Sequence, residues 1–384
     1  MKNRVVIITE IISPYRIPLF NALACRAEVD LHVIFLGETD PKLRQWRVYK
    51  EEIKFSFQIL PSWRHRVGKY NALLNAGLWR ALNHSKPQII LCGGYSYFAS
   101  WEALLWAQRH KVPFLLWSES NQQDHRHRHG VVEFLKRQFL RRCDGFLVPG
   151  QSAFEYIRTH QINDRSISIA PNAVDNGLFS NSAEIARKEA GQYRKKLGLP
   201  NRFFLFVGRL VREKGIFDLL EAYGRLEAEL RQNVGLVIVG DGPCRSEIEQ
   251  SAGRISSGNI VFSGFVHREA IGAYYGLAEV LILPTYTDTW GMVVNEAMAS
   301  GLPIIVSRAA GCSVDLIREN WNGMLISAKD VDGLEFTMRR VASEPDLRQI
   351  MGANSAKHIR EYSPQAWALS VERAIRGVVE NHEG

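Results

Sequence analysis

Short apolar runs recur along this 384-residue chain. Each is followed by a polar turn and then by a stretch whose apolar positions fall three and four apart. Val5–Ile8, Leu31–Leu36, Phe55–Leu60, Ile89–Cys92, Phe114–Trp117 and Phe146–Val148 read as strands buried on both faces. Between them the spacing predicts helices over Ile17–Arg26, Tyr70–Asn83, Ala99–His110, Val131–Arg142 and Ser152–His160. In the second half Phe204–Val207, the run from Leu236, Leu281–Leu283 and Ile304–Val306 repeat the pattern. Strands alternating with helices predict parallel sheets covered by helices, an α/β class. The length suits two domains, and no internal repeat or low-complexity tract is present. A last helix begins with Ser363 as cap and Pro364 in its first turn, with Trp367, Val371, Ala374, Ile375 and Val378 as its stripe.

Candidate chemistry concentrates in Leu283–Ser307. Leu281–Leu283 stops at Pro284, which cannot donate to a ladder. Asp288 stands where an N-cap belongs, so the amides of Thr289, Trp290, Gly291 and Met292 are expected to be free at a helix start. Val293, Val294, Ala297 and Met298 supply the helix stripe, and Gly301 with Pro303 ends it. Free amides at a helix start attract phosphate. Glu296 lies about two turns on, where no cap is needed. A carboxylate there accepts from hydroxyls, as on a ribose or sugar. Spacing alone leaves a second reading open, with Asp288 a plain cap and Glu296 a solvated helix residue.

Two further segments bear on a phosphate ligand. Phe204–Tyr223 reads as strand, loop and helix, with Gly208 and Gly215 bracketing the loop. Arg209 and Lys214 project from that loop at a strand's carboxyl end, where open α/β sheets bind ligands. A guanidinium and an ammonium together suit a diphosphate. Solvated loop cations are the alternative, and Arg212 and Glu213 are read that way. Leu236–Glu249 runs a strand into Gly240-Asp241-Gly242, but Arg245 occupies the place of the third glycine of a dinucleotide fingerprint. That reading is rejected, and an oxidoreductase is disfavoured by the missing glycine.

Leu283–Ser307 resembles the signature of the retaining family-four glycosyltransferases (glycosyl transferases group 1), in which two Glu flank seven residues ahead of an Ala-Met-Ala-Gly-Pro pattern. Glu296 and the following AMASGLP match, and Asp288 stands in place of the first Glu. The likeness extends over the whole chain and is weaker in the first half. It implies the GT-B fold, two Rossmann-like domains with parallel sheets facing across a cleft. It assigns residues 1–180 plus 363–384 to an acceptor-side domain, with the last helix crossing back, and 181–362 to a donor domain. Pro171–Asp175 resembles the turn before the crossover, and charged Glu184–Lys196 is expected to be helical.

The resemblance also implies residue roles. Arg209 and Lys214 match the family's diphosphate-holding pair, Glu296 would hold the ribose, and Asp288 would meet a sugar hydroxyl. Phe262–Val266 resembles the strand and loop beside the nucleotide base, so Gly208, Phe265, Val266 and Val293 join the expected donor site with residues 289–292. Where many relatives carry glycines after the first strand, this chain has Ser13-Pro14-Tyr15-Arg16, matching a Pro-Tyr-Arg subgroup. Arg16 is expected either to touch the donor phosphate or a charged acceptor, or to hold the loop in a salt bridge. Where many relatives place a catalytic His, Ser118-Glu119-Ser120 follows Trp117, and Glu119 is taken as catalytic and as an acceptor contact. His125, His127 and His129 alternate with Arg126 and Arg128 without completing a metal set.

The implied reaction transfers a sugar from a UDP- or GDP-type nucleotide sugar to a hydroxyl of a glycan or lipid-linked acceptor, with retention, and without metal or other cofactor. A nucleotide-sugar epimerase on the same fold is the alternative, and a non-catalytic nucleotide-binding subunit a third. No carboxylate pair is spaced for hydrolysis.

Charge changes the picture in one respect. The net charge is +8, yet residues 1–175 carry 24 Lys and Arg against 15 Asp and Glu. A basic first half suggests an anionic partner. In Val131–Arg142 a stripe of Val131, Leu135 and Phe139 sits beside Lys136, Arg137, Arg141 and Arg142. Such a helix either packs on the core with a solvated basic face, the favoured reading, or lies against an anionic leaflet. No nucleic-acid motif accompanies the charge. Five scattered cysteines predict free thiols in a reducing compartment. The apolar run after Met1 ends by Thr9, too short for a signal peptide, and no run reaches the ~20 residues of a span. A cytoplasmic location is expected, with peripheral contact on the inner membrane face as the further possibility.

Overall fold

The computed structural model describes residues 2–40, 45–67, 70–122 and 130–383. The chain divides into one unit of residues 1–173 plus 364–384 and a second of residues 174–363. The first division falls ahead of the expected 180/181. The helix Asn176–Lys188 belongs with the second unit, where Gly272 and Gly276 of the helix Arg268–Leu277 admit Ser182 and Ala183 at close range.

In the first unit β1 (Asn3–Thr9), β2 (Val29–Phe35) and β3 (Ser56–Ile59) precede a hairpin of β4 (Ser62–Val67) and β5 (Tyr70–Asn75). β6 (Ile89–Gly93), β7 (Phe114–Trp117), β8 (Gly145–Val148) and β9 (Ile167–Ile169) follow. All but the hairpin form one parallel sheet of order β3-β2-β1-β6-β7-β8-β9. Alternate residues of β1 feed opposite cores: Val5 and Ile7 one face, Val6 and Ile8 the other. The helix Pro364–Glu383 covers the first of these faces. Its Trp367 stands 5.9 Å from Phe20 and 5.2 Å from Trp117 between ring centroids. Its buried Glu372 accepts from Arg26 at 2.6 Å.

The helix expected over Tyr70–Asn83 is two elements. Tyr70–Asn75 pairs antiparallel with β4, and the helix is Leu78–Ser85. Side-chain burial alternates, Leu73 in and Leu74 out, as a strand requires. Gly77, at φ +84, turns the chain into the helix. On β4, Arg64 reaches Glu10 and Asp40, each at 2.9 Å, and ties the hairpin to the sheet. The charged stretch at 184–196 is also divided, into Asn176–Lys188 and Ala190–Leu197.

The second unit contains β10 (Phe203–Val207), β11 (Gly235–Val239), β12 (Ile260–Gly264), β13 (Val280–Leu283), β14 (Ile304–Ser307) and β15 (Gly323–Ile326). They form a parallel sheet of order β12-β11-β10-β13-β14-β15. The order reverses between β10 and β13, which is where such sheets open a ligand crevice at their carboxyl ends. Three glycines let the loops there touch through their backbones. A Cβ on Gly215 would overlap the Pro284 carbonyl, one on Gly240 the Gly208 carbonyl, and one on Gly242 the Leu210 carbonyl, all inside 3.0 Å. Gly240 also sits at φ +137, a region side chains avoid.

All five cysteines are free thiols. Burial pushes the Cys92 thiol up to about 12. The Cys312 thiol is raised well above its ordinary value by burial first, then by Asp288 and Asp315. Cys25 is exposed.

Gly240→Ala is expected to cost about 3 kcal/mol through strain and overlap. Thermal unfolding should show this as a midpoint lower by roughly 5–10 °C. Alkylation at pH 8 followed by peptide mass mapping should label Cys25 in the native protein and leave Cys92 and Cys312 unmodified until unfolding.

Candidate functional site

The site is built on the second unit's switch point. β10 ends at Val207, and the amide of Gly208 donates to the Val239 carbonyl at 3.0 Å. Leu210 donates to the Asp241 carbonyl at 2.9 Å and accepts from the Cys244 amide at 3.1 Å. The Gly240–Gly242 turn therefore acts as a scaffold beneath the loop that bears Arg209. Arg209 itself is exposed and makes no ion pair among the described residues. The loop closes with a single turn at Arg212–Lys214 and left-handed Gly215.

The loop after β13 is fastened to that turn. The Thr285 hydroxyl and the Tyr286 amide both donate to the Glu213 carbonyl, at 2.9 and 2.8 Å. The Tyr286 hydroxyl donates to Asp218 at 2.8 Å, and burial together with Asp218 pushes it up to about 12. The two fastened loops bring Lys214 and Asp288 into a half-buried salt bridge. Arg212 turns away to Glu247 and stacks over Phe217, as a solvated cation would.

Asp288 is not the helix cap expected of it. The helix is Met292–Ala299, and left-handed Gly291, at φ +101, stands at its N-cap. Asp288 lies earlier because its backbone pairs with the strand-like segment at Ala310, and its carbonyl accepts from the Gly311 amide at 3.0 Å. One carboxylate oxygen accepts from the Trp290 amide at 3.3 Å, so that amide is not among those open to a ligand. Trp290 is buried, its indole N–H donating to Asn295 at 2.8 Å. The amides of Gly291, Met292 and Val293 open the helix, and first-turn amides have no intrahelical acceptor.

Glu296 is 3% exposed, which excludes the solvated reading. Its carboxylate accepts from the Tyr275 hydroxyl at 2.5 Å. Tyr275, on Arg268–Leu277, carried no sequence signal for this role, because the partnership spans two helices. Phe265 and Val266 follow β12 past left-handed Gly264, Phe265 exposed and edge-on to His267 at 5.0 Å. Arg209, Lys214, Asp288, Glu296, Phe265 and Val266 thus all lie in one unit, on segments leaving the carboxyl ends of its strands or the helices that follow.

The first unit has its own polar cluster at its strands' carboxyl ends. Arg16 opens the helix Arg16–Ala24, and its guanidinium lies 3.6 Å over the Trp117 ring and 2.8 Å from Glu119. Asn172, seen in the sequence only as part of a turn, donates to the same Glu119 oxygen at 3.1 Å. Burial draws the Arg16 guanidinium below its ordinary pKa, against the raising influence of Glu119. Arg16 Nη1 is buried without a hydrogen-bond partner. Arg16 thus makes a salt bridge with Glu119, one of the readings open for it. His125, His127 and His129 lie outside the described residues. Among the described residues no three His, Cys, Asp or Glu side chains gather as a metal set. No described helix is long and apolar enough to cross a membrane.

Comparison with known proteins identifies the family and the fold. Residues 22–177 match the family described as Glycosyltransferase Family 4, and residues 190–358 the family described as Glycosyl transferases group 1. An uncharacterized glycosyltransferase of Methanocaldococcus jannaschii is 31% identical over 183 residues, 47% of this chain and 46% of that one. Alpha-monoglucosyldiacylglycerol synthase of Acholeplasma laidlawii is 24% identical over 251 residues, 65% of this chain and 62% of that one. The match with these curated relatives therefore spans about half their length. HepE of Anabaena, solved with UDP and glucose, shares the fold at a TM-score of 0.77 and 14% identity, over 97% of this chain and 99% of that one. With a Family 4 match over its first unit and a group 1 match over its second, the chain belongs to the glycosyltransferases of the GT-B class.

Proposed function

We propose that this chain transfers a glycosyl unit from a nucleoside diphosphate sugar to a hydroxyl of a glycan or lipid-linked acceptor, with retention at the anomeric carbon. The observation that carries the reading is the pairing of Lys214, from the loop that also bears Arg209, with Asp288 ahead of the opening turn of Met292–Ala299 at the β10/β13 switch point. Negative charge grows on the diphosphate as its bond to the sugar breaks. Fixed cations and amides aimed at that charge lower the barrier. Arg209 and Lys214 do this work in the proposal, so the diphosphate needs no metal to neutralise it.

Glu296, its carboxylate set by Tyr275, takes the ribose hydroxyls, and Asp288 a hydroxyl of the sugar. Gly208, Phe265 and Val266 flank the nucleotide. The UDP and glucose bound in HepE of Anabaena support a UDP-type donor. The name of the Acholeplasma relative supports a lipid acceptor. On the acceptor side the proposal uses Glu119, with Arg16 and Asn172 holding its carboxylate in place. Because that carboxylate is already paired, the departing phosphate is the better base for the acceptor proton. No observation favours the epimerase.

Lys214→Ala is expected to lower turnover about 10²–10³-fold, the size of one lost transition-state donor, while the melting temperature stays near that of the wild type. Wild-type turnover in this variant would refute the assignment. In a thermal-shift panel, UDP- or GDP-sugars should raise the melting point of the wild type, since a ligand of the folded state stabilises it. Proton NMR of the first-formed product should show the anomeric configuration of the donor; inversion would overturn the retaining course.

A further inference from the structure

The carboxylate of Glu296 is oriented from outside its own helix. Tyr275, on the helix Arg268–Leu277, is fully buried and donates its hydroxyl to Glu296 Oε2 at 2.5 Å. Glu296, on the helix Met292–Ala299, is itself buried.

Both helices are seated on a third, Asn176–Lys188. The helix of Tyr275 meets it through glycines. A Cβ on Gly272 would fall 2.3 Å from Ser182 Cβ, and one on Gly276 would fall 2.6 Å from the Ala183 carbonyl oxygen. At this close approach the Tyr275 ring stands edge-on to Phe179 of the third helix, with 6.2 Å between centroids. The helix of Glu296 is held at its far end, where Arg187 of the third helix donates to the Ser300 carbonyl. A cation there also complements the helix dipole. Phenol and carboxylate therefore meet on two helices whose positions one neighbour fixes.

We propose that Tyr275 is a positioning residue that gives the donor site its preference for an intact ribose. Resting on the donor reading above, it adds the group that sets selectivity for the sugar of the nucleotide. The last torsion of a glutamate is broad and two-fold. One short bond from a rigid, buried phenol narrows it and fixes the plane of the carboxylate. That bond uses one of the about four acceptor positions of the group. Vicinal ribose hydroxyls present two donors at a set spacing, and two carboxylate oxygens meet both only in one orientation. Without the phenol the torsion regains its freedom, and ordering it falls to the ligand. The diphosphate is held elsewhere, by the loop of Arg209 and Lys214, so the loss is confined to the ribose.

The test is calorimetric titration of the full chain with UDP and 2′,3′-dideoxy-UDP, and with GDP and its 2′,3′-dideoxy form. The proteins are the wild type, Tyr275→Phe, Glu296→Gln and the double variant. Tyr275→Phe removes one oxygen and keeps the ring against Phe179, so its melting point should stay near that of the wild type. The wild type should prefer a ribonucleotide to its dideoxy form by at least about tenfold, the size of a hydrogen bond to a charged group. Tyr275→Phe should reduce this preference to about threefold or less, by weakening the ribonucleotide and leaving the dideoxy form unchanged. In the Glu296→Gln background the same change should have no further effect on either. Equal weakening of both forms by Tyr275→Phe marks a merely structural role and overturns the proposal. So does a wild-type preference that survives Tyr275→Phe, or one that is lost equally with and without Glu296. Failure of both UDP and GDP to bind the wild type overturns the donor reading itself, and this inference with it.

Discussion

Three loops of the second unit depend on backbone meeting backbone with no side chain between them. The segment from Gly208 to Gly215 is held on one side by the turn at Gly240–Gly242 and on the other by Pro284 and Thr285. The close approaches at Gly215, Gly240 and Gly242 each require the missing Cβ of a glycine, and the Thr285 hydroxyl adds a hydrogen bond to the Glu213 carbonyl. The result is a cationic loop whose position is set by hydrogen bonds to main-chain carbonyls. Fixed charge of this kind loses little in reorganisation when a ligand's charge changes. The same fastening delivers Lys214 to Asp288, although the two are far apart in sequence.

Much of this was legible in the sequence, for a physical reason. Strands buried on both faces are written as unbroken apolar runs, so β1, β6, β7, β10 and β13 announced themselves. The loops at their carboxyl ends could then be placed, and with them Arg209 and Lys214. The carboxylates were legible by position but not by role. Asp288 looked like a cap because local spacing cannot show that its backbone would pair with Ala310 and leave Gly291 to begin the helix. Glu296 could be read as solvated because its partner, Tyr275, comes from another helix.

In the first unit the misreadings share one cause. Apolar spacing does not show which way side chains point when polar partners, such as Glu133 and Tyr156 for Lys136, set the orientation. In β5 the period was two rather than three to four, and Arg64 of its neighbour strand was anchored by Glu10 and Asp40. In Gly130–Leu140 a lysine took the inward position and displaced leucine and valine to the surface. Asn172 acquires its meaning only once β9 brings it beside Glu119.

The Lys214–Asp288 pair also bears on selectivity. The Lys214 ammonium has Asp288 as its anionic neighbour, so an incoming group would not find a bare cation. It must compete with a carboxylate that is tethered at high effective concentration. Chloride or a carboxylic acid offers no more than what is already there. A pyrophosphate, with more charge and oxygens on two phosphorus atoms, would compete with the carboxylate for the ammonium and could reach Arg209 of the same loop as well. In the proposed donor site the internal pair would thus act as a threshold against weak anions.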